Sequence, residues 1–325
     1  MTSLTLTCIG RQQNTHDVVS WQLVPVAGSL PPVLAGQCIT LHTEIDGQPV
    51  CRAYTLSSSP QDACWQVTIK DVGRVSRHLH QSLQVGDHIR VDGPFGDFNL
   101  TALPCERPLL LSAGSGITPM WAMLRDELAK RPDANIRFIH SARSPADVIF
   151  ADELTALAEA HIGLRHAFVL EQAPADHPWI GRLTPTMLAE LAPDLRDRHV
   201  YLCGPAPYMT AVCAMLTTLG LPANQLHQES FGLAEAAPVP VASDHFWLTL
   251  KKSGKKVRIF LLAALEGAGE TMMAACRAGV CGACRCTTTG DIERQSVMTL
   301  SAQDLESGMA LACSCTAKGD ISLDY

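Results

Sequence analysis

Residues 276–284 read CRAGVCGAC, in which Cys276, Cys281 and Cys284 follow the spacing C-x4-C-x2-C; a further sulfur, Cys313 in LACSC (311–315), lies one long excursion downstream. Three clustered thiols with a remote fourth suit a small metal centre. Zinc held by four cysteines usually takes two close pairs, each spanning one edge of a tetrahedron. Here three sulfurs share one short loop, the spacing associated with a plant-type [2Fe-2S] cluster. Gly279 and Gly282 let such a loop wrap inorganic sulfide with its N–H groups pointing inward. A Rieske centre needs histidines beside two cysteines and no C-x-H occurs in the chain, so an all-cysteine, low-potential cluster is expected. Cys315 rivals Cys313 as fourth ligand; Cys313 is preferred because LAC follows a strand-like approach. Cys286, Cys315 and the cysteines of the upstream segments, Cys203 excepted, read as small buried hydrophobes.

The rest of the chain limits what surrounds this centre. At 325 residues it exceeds the roughly 250 that one hydrophobic core serves, so two or three domains are expected. The opening MTSLTLTCIGRQQN has no basic region and no sustained apolar stretch, and IFLLAAL (259–265) is far too short to cross a bilayer. A cytoplasmic protein with no membrane partner is the expectation. Thirteen cysteines, an odd number in a long chain with no export signal, argue against a disulfide framework. Net charge of −7 argues against nucleic acid, which demands a basic face. From Asp244 onward nine basic side chains balance nine acidic ones, so the excess negative charge lies upstream.

Up to Leu103 the sequence is a series of short strand-like runs broken by Gly, Pro and Asp, among them QCITLHTEIDGQPV (37–50), WQVTIK (65–70) and DHIRVDGPFG (87–96). That pattern suggests an antiparallel barrel over 1–103. From Pro104 to residue 232, apolar strands alternate with glycine turns and helical segments, which indicates a parallel α/β layer. An Ala/Pro stretch without period, 233–243, reads as a linker. The last segment, 244–325, opens with the hairpin FWLTLKKSGKKVRIF, turning at Gly254, and carries the cysteines. Its lysines read as solvated hairpin residues.

Three motifs outside the cysteine loop carry chemistry. In RAYTLSSSP (52–60), Arg52 can neutralise a phosphate, Tyr54 can lie against a flat ring, and Thr55 and Ser57 can hydrogen-bond a ring edge. Taken alone, the stretch reads equally well as an edge strand. KDVGRVSRHLH (70–80) sets Gly73 and Ser76 at a helix start, either a phosphate site or an ordinary N-cap. LLLSAGSGITPM (109–120) is more informative: a buried strand enters a turn at Gly114, Ser115 and Gly116, and Pro119 opens a helix. VYLCGPAPYM (200–209) repeats the arrangement with Cys203, Gly204 and Pro205. Two glycine turns at neighbouring strand ends can frame a nicotinamide.

Taken together, RAYTLS, GRVS, AGSGITPM, CGPAPYM and the cysteine loop, in this order, resemble the ferredoxin-NADP reductase-like flavoproteins with a fused [2Fe-2S] domain. The resemblance spans essentially the whole chain. It implies a six-stranded antiparallel β-barrel that binds FAD, an α/β parallel-sheet domain for NAD(P)H, and a β-grasp ferredoxin domain. It also implies that Arg52, Tyr54, Thr55 and Ser57 hold the flavin, and Gly73 and Ser76 its pyrophosphate. Gly114 to Pro119 would form the nucleotide turn, with Thr118 near the flavin–nicotinamide contact and Cys203 close to the hydride-donating carbon. Glu229 and Phe231, in QESFG, would lie near the flavin ring. DVIFADEL (147–154), GRLTPTMLAELAPDL (181–195) and LACSC resemble, within this family, the NADH oxidoreductases that supply electrons to hybrid-cluster protein. That protein is the expected acceptor, with a Rieske-type oxygenase or demethylase as alternative and a redox-sensing role as a third reading. NADH is expected over NADPH, although Arg143 is placed where it could meet a 2′-phosphate.

Overall fold

The computed structural model describes residues 3–231, 247–250, 256–258, 261–267, 272, 279, 284–294, 300 and 302–325. The chain divides into two compact units, Met1–Ser230 and Phe231–Tyr325. In the first unit, six antiparallel strands come first: β1 (Ser3–Thr15), β2 (Val18–Pro25), β3 (Cys38–Ile45), β4 (Gln48–Thr55), β5 (Trp65–Lys70) and β6 (His88–Phe95). Their order is β4-β3-β6-β1-β2-β5, and a bridge from Leu56 to Val67 closes the end of β4 onto β5. Alternation makes the barrel: Val19, Trp21 and Leu23 on β2, with Trp65, Val67 and Ile69 on β5, fill one interior. Each such side chain contributes roughly 1.5–3 kcal/mol through burial. The β3–β4 hairpin turns at Asp46 and Gly47, both at positive φ (56° and 72°), as an Asp-Gly pair favours. Helix α1 (Arg74–Ser82) closes the barrel with Val75 and Leu79.

A parallel sheet follows, built from β7 (Pro108–Ala113), β8 (Ile136–Ala142), β9 (Leu164–Leu170), β10 (His199–Cys203) and β11 (Leu226–Glu229). Helices α2 (Ile117–Lys130), α3 (Ala151–Ala160), α4 (Pro185–Leu191) and α5 (Ala206–Thr218) connect and cover it. Strand order β11-β10-β7-β8-β9 puts the reversal between β7 and β10, and in such sheets ligands bind at the carboxyl ends of the strands flanking the reversal. Leu109, Leu110 and Leu111 are wholly buried because both faces of β7 are covered. One face packs on α2 and α3 together with Val18, Ala35 and Phe98 of the preceding segment; the other packs on α4 and α5.

In the second unit the strands are β12 (Trp247–Leu250), β13 (Lys256–Arg258), β14 (Arg285–Thr289), β15 (Ile292–Arg294), β16 (Met309–Leu311), β17 (Cys315–Ala317) and β18 (Ile321–Asp324), with helices α6 (Leu261–Gly267) and α7 (Ala302–Glu306). The main sheet runs β13-β12-β18-β14-β16, with the last strand parallel to the first and gripped between antiparallel pairs, a β-grasp. Leu261, Leu262 and Leu265 of α6 share a core with Leu311, Ile321 and Leu323. The linker expected at 233–243 and the turn expected at Gly254 lie outside the described residues. Among the described residues no helix is long and apolar enough to cross a membrane.

Candidate functional site

At the carboxyl end of β7 the chain tightens into a single 3₁₀ turn, Gly114–Gly116, and then enters α2. Gly114 has φ +53°, a conformation glycine adopts without penalty, and open space lies over its missing side chain. Gly116 is needed for a different reason. A Cβ there would lie 2.3 Å from the Cys203 carbonyl oxygen and 2.7 Å from the Gly204 nitrogen, so the two turns abut through bare backbone. Thr118 is 3% exposed and its hydroxyl donates to the Ser115 carbonyl at 3.0 Å; Pro119 is buried in the first turn of α2. The Ile117 N–H closes on the Gly114 and Ser115 carbonyls, so what this strand-to-helix turn offers a ligand is backbone over a surface that side chains have vacated. That vacancy is what a nucleotide pyrophosphate requires.

The second turn lies beside it. Cys203 pairs in register with Ser112 of β7 and with Glu229 of β11, so Cys203 and Glu229 end adjacent strands. Both are buried, at 0% and 6% exposure. Burial pushes the Cys203 thiol well above its ordinary range and the neighbouring Glu229 raises it further, so it stays a neutral, soft surface. Gly204 is also fitted closely, since a Cβ there would meet the Tyr208 ring at 2.8 Å. Pro205 is exposed and caps α5. Gly116→Ala is expected to raise the dissociation constant for NAD(H) about 10- to 100-fold by displacing the turn, while flavin and iron content stay unchanged. Nucleotide titration with parallel cofactor assays checks this; unaltered affinity would show that the turn does not hold the nucleotide.

On the barrel, Arg52, Tyr54 and Thr55 close β4, where Arg52 is exposed, Tyr54 half-buried and Thr55 buried. Burial raises the Tyr54 phenol above its usual range, so it stays protonated. Ser57 differs from these: its hydroxyl sits 2.7 Å from the Thr68 hydroxyl and 3.2 Å from the Gln66 carbonyl, committed within the barrel wall. Gly73 is the N-cap of α1, and Ser76 accepts from the N–H groups of Val72 and Gly73 at 3.0 and 2.9 Å. That hydroxyl is occupied by the cap. A phosphate at this helix start would therefore be held by backbone N–H groups rather than by Ser76.

In the second unit, pairing of β14 with β16 in the register Arg285↔Leu311 returns the chain so that the Cys284 and Cys313 sulfurs lie 3.1 Å apart. The Gly279 N–H donates to Cys313 Sγ at 3.1 Å and the Cys313 N–H points at Cys284 Sγ at 3.5 Å. Backbone donors aimed at sulfur favour thiolate, and hence a metal centre. Cys276 and Cys281 lie outside the described residues. Cys286 and Cys315 are buried in the apolar core of this unit at 4% and 3% exposure, and burial pushes both thiols up. Phe231, 36% exposed, opens this second unit.

Arg143, noted in the sequence for a 2′-phosphate, has a neighbour that the sequence did not single out. Arg143 is held by Asp147 at 2.7 Å and lies 3.8 Å from Asp17. Glu171 follows directly on β9, its N–H bonded to the Ala142 carbonyl at 3.1 Å beside the strand end that carries Arg143, and its carboxylate accepts from Arg182 at 3.1 Å. An acidic residue just past a strand is the available signal, but sequence alone does not say which strand ends are neighbours.

Comparison with known proteins gives the architecture its family. Residues 14–100 match the oxidoreductase FAD-binding domain, 110–214 the oxidoreductase NAD-binding domain, and 251–318 the 2Fe-2S iron-sulfur cluster binding domain. The glycine betaine monooxygenase reductase subunit of Pseudomonas aeruginosa is 35% identical, over 98% of this chain and 94% of its own. The stachydrine N-demethylase reductase subunit of Rhizobium meliloti is 32% identical (98% and 96%), and the NADH oxidoreductase HCR of Escherichia coli 34% (92% and 90%). Among solved structures, phthalate dioxygenase reductase is similar over 99% of this chain and 98% of its own, with TM-score 0.67 and 25% identity. The chain belongs to the iron–sulfur flavoprotein reductases, oxidoreductases in which an FAD-binding barrel, an NAD-binding domain and a 2Fe-2S ferredoxin domain follow one another.

Proposed function

We propose that this chain is the reductase component of an oxygenase or demethylase system, taking reducing equivalents from NADH and handing single electrons to a Rieske-type protein acceptor. FAD, when bound, converts a two-electron hydride into single electrons, which a [2Fe-2S] cluster carries one at a time. The chain's own work is to bind, orient and exclude water. In this reading Arg52, Tyr54, Thr55 and Ser57 line the flavin segment, while Gly73 and Ser76 shape its phosphate site. Gly114, Ser115, Gly116, Pro119, Gly204 and Pro205 cradle the nucleotide. Thr118, Cys203 and Glu229 border the hydride path. Cys276, Cys281, Cys284 and Cys313 ligate the cluster. NADH is favoured over NADPH because Arg143, the cation nearest the end of β8 in the sequence, is already paired with Asp147.

One observation supports the oxygenase acceptor above the hybrid-cluster protein expected from sequence: monooxygenase and demethylase reductase subunits align with the chain almost end to end, across all three modules. The hybrid-cluster reading keeps the support of a relative of nearly equal identity. Anaerobic mixing of a catalytic amount of the reductase and excess NADH with either a purified Rieske oxygenase component or hybrid-cluster protein separates the two, with acceptor reduction followed by EPR. Rapid reduction of the oxygenase alone is expected. Reduction of the hybrid cluster alone would return the assignment to the second reading.

A further inference from the structure

The segment that follows RAYTLS is tied to the nucleotide-binding helix by a side-chain pair for which the functional reading has no role. Residues 59–62 form a tight turn: the Asp62 N–H donates to the Ser59 carbonyl at 3.0 Å, and the Ser59 N–H donates to the Asp62 carboxylate at 2.9 Å. Across the boundary between barrel and parallel sheet, Arg125 of α2 grips the same carboxylate with both terminal nitrogens, at 2.7 and 2.8 Å. A two-point guanidinium–carboxylate contact fixes angle as well as distance. Its neighbours reinforce it. Gln61 donates to Asp126 at 2.8 Å, and Lys130 donates to the other oxygen of Asp126 at 2.6 Å. The Arg125 guanidinium lies 5.8 Å from the Trp121 ring centre, and Trp121 stacks on Phe150 at 5.0 Å.

The geometry makes this a lever. Thr118 and Arg125 are seven residues apart on α2 and so share one helix face, separated by about 10 Å of rigid helix. One end of that face carries the glycine turn and Thr118; the other is locked to the turn that continues the flavin segment. Any slip at Asp62–Arg125 is therefore transmitted to the spacing between the two ring-binding surfaces. Hydride transfer depends steeply on that spacing, and a displacement of about 1 Å costs on the order of 100-fold.

We propose that the Asp62–Arg125 pair positions the nucleotide helix against the flavin segment and thereby sets the rate of hydride transfer without touching either ring. This rests on the assignment of the flavin to residues 52–57 and of the nucleotide to 114–119. The test uses the holoenzyme with Arg125→Ala, Arg125→Lys, Asp62→Ala and the exchange Asp62→Arg with Arg125→Asp. At saturating NADH, stopped-flow flavin reduction should slow about tenfold or more in the alanine variants, and less in Arg125→Lys, which keeps the charge and loses the fork. The long-wavelength absorbance of the complex between reduced flavin and NAD⁺, which reports ring stacking without turnover, should weaken in parallel. The dissociation constant for NADH should stay within about twofold, and the exchange should restore part of both signals.

A lowered melting temperature with unchanged reduction rate and unchanged stacking absorbance would make the pair merely structural and overturn the proposal. Gly116→Ala serves as the control for the underlying assignment: if it leaves nucleotide affinity intact, the site reading fails. If it weakens affinity while the Arg125 variants behave as wild type, only the lever fails. Should an alanine variant not fold, Arg125→Lys decides, because loss of stacking absorbance there still separates positioning from stability.

Discussion

Cys313→Ser should lose its iron and with it all electron delivery to a protein acceptor, while reduction of the flavin by NADH continues at the wild-type rate. The reasoning starts from the strand pairing. Cys313 is remote in sequence from Cys284, and it is the β14–β16 register, with the Ala312 N–H bonded to the Cys284 carbonyl at 2.9 Å, that brings the two sulfurs to 3.1 Å. The Gly279 and Cys313 N–H groups then point at sulfur, which stabilises negative charge on both thiols. Serine keeps the size and removes the soft ligand that iron–sulfur centres require. Cys315→Ser is the necessary comparison. Its thiol lies in the apolar core with Cys286, so the substitution should cost about 1–3 kcal/mol through an unsatisfied buried hydroxyl and leave the cluster in place. Iron content, visible absorbance and EPR of both variants decide the matter. Retention of iron in Cys313→Ser together with its loss in Cys315→Ser would move the fourth ligand to Cys315.

Much of this was legible in the sequence where the relevant interactions are local. The spacing of Cys276, Cys281 and Cys284 points to a cluster because three candidate ligands fall within nine consecutive residues of sequence. The turn at Gly114–Gly116 announces itself because a strand, a glycine pair and a helix start are consecutive. Gly73 and Ser76 also behave as their spacing implies, forming a helix start. What local pattern does not reveal is how a hydroxyl is used: Ser57 and Ser76 carry the residue types of ligands, yet one is bonded within the barrel wall and the other closes a helix cap. Pairs such as Asp62–Arg125 were illegible for a different reason. They depend on tertiary register between a barrel turn and a helix, and neither residue type nor spacing encodes that. Glu171 belongs to the same class, since its place beside Arg143 follows from β8 and β9 being neighbours in the sheet. The acceptor is a property of a surface and of a partner, and motifs shared by the whole family do not distinguish one acceptor from another.

Asp194→Ala is expected to destabilise the nucleotide-binding region more than any substitution at the site itself, by about 3–5 kcal/mol. Arg198 is completely buried and carries a charge that the protein must satisfy. Asp194 meets it side-on, with Nε at 2.8 Å from one carboxylate oxygen and Nη2 at 2.8 Å from the other, and Arg198 spends its remaining donors on Asn135 and on the Pro108 carbonyl. Arg137 at 3.0 Å and Arg107 join the same carboxylate. Asn135, Pro108 and Arg198 stand at the amino ends of β8, β7 and β10, opposite the glycine turns, so this knot holds the three central strands in register without entering the chemistry. Removing the carboxylate strands a buried guanidinium, and removal of one partner of such a pair costs far more than the pair itself is worth. The hydrogen bonds from Arg198 are the main reason the Asp194 carboxyl titrates well below the usual carboxylate range. Its stabilising contribution is therefore complete above the unfolded value of about 4 and disappears as the pH falls toward the depressed folded value. Thermal unfolding followed by circular dichroism should show the variant melting on the order of 10 °C below wild type at neutral pH. The two curves should converge as the medium is acidified below about pH 4. A melting difference that is small at neutral pH, or that grows in acid, would mean that Arg198 finds other partners and that the knot does not anchor the sheet.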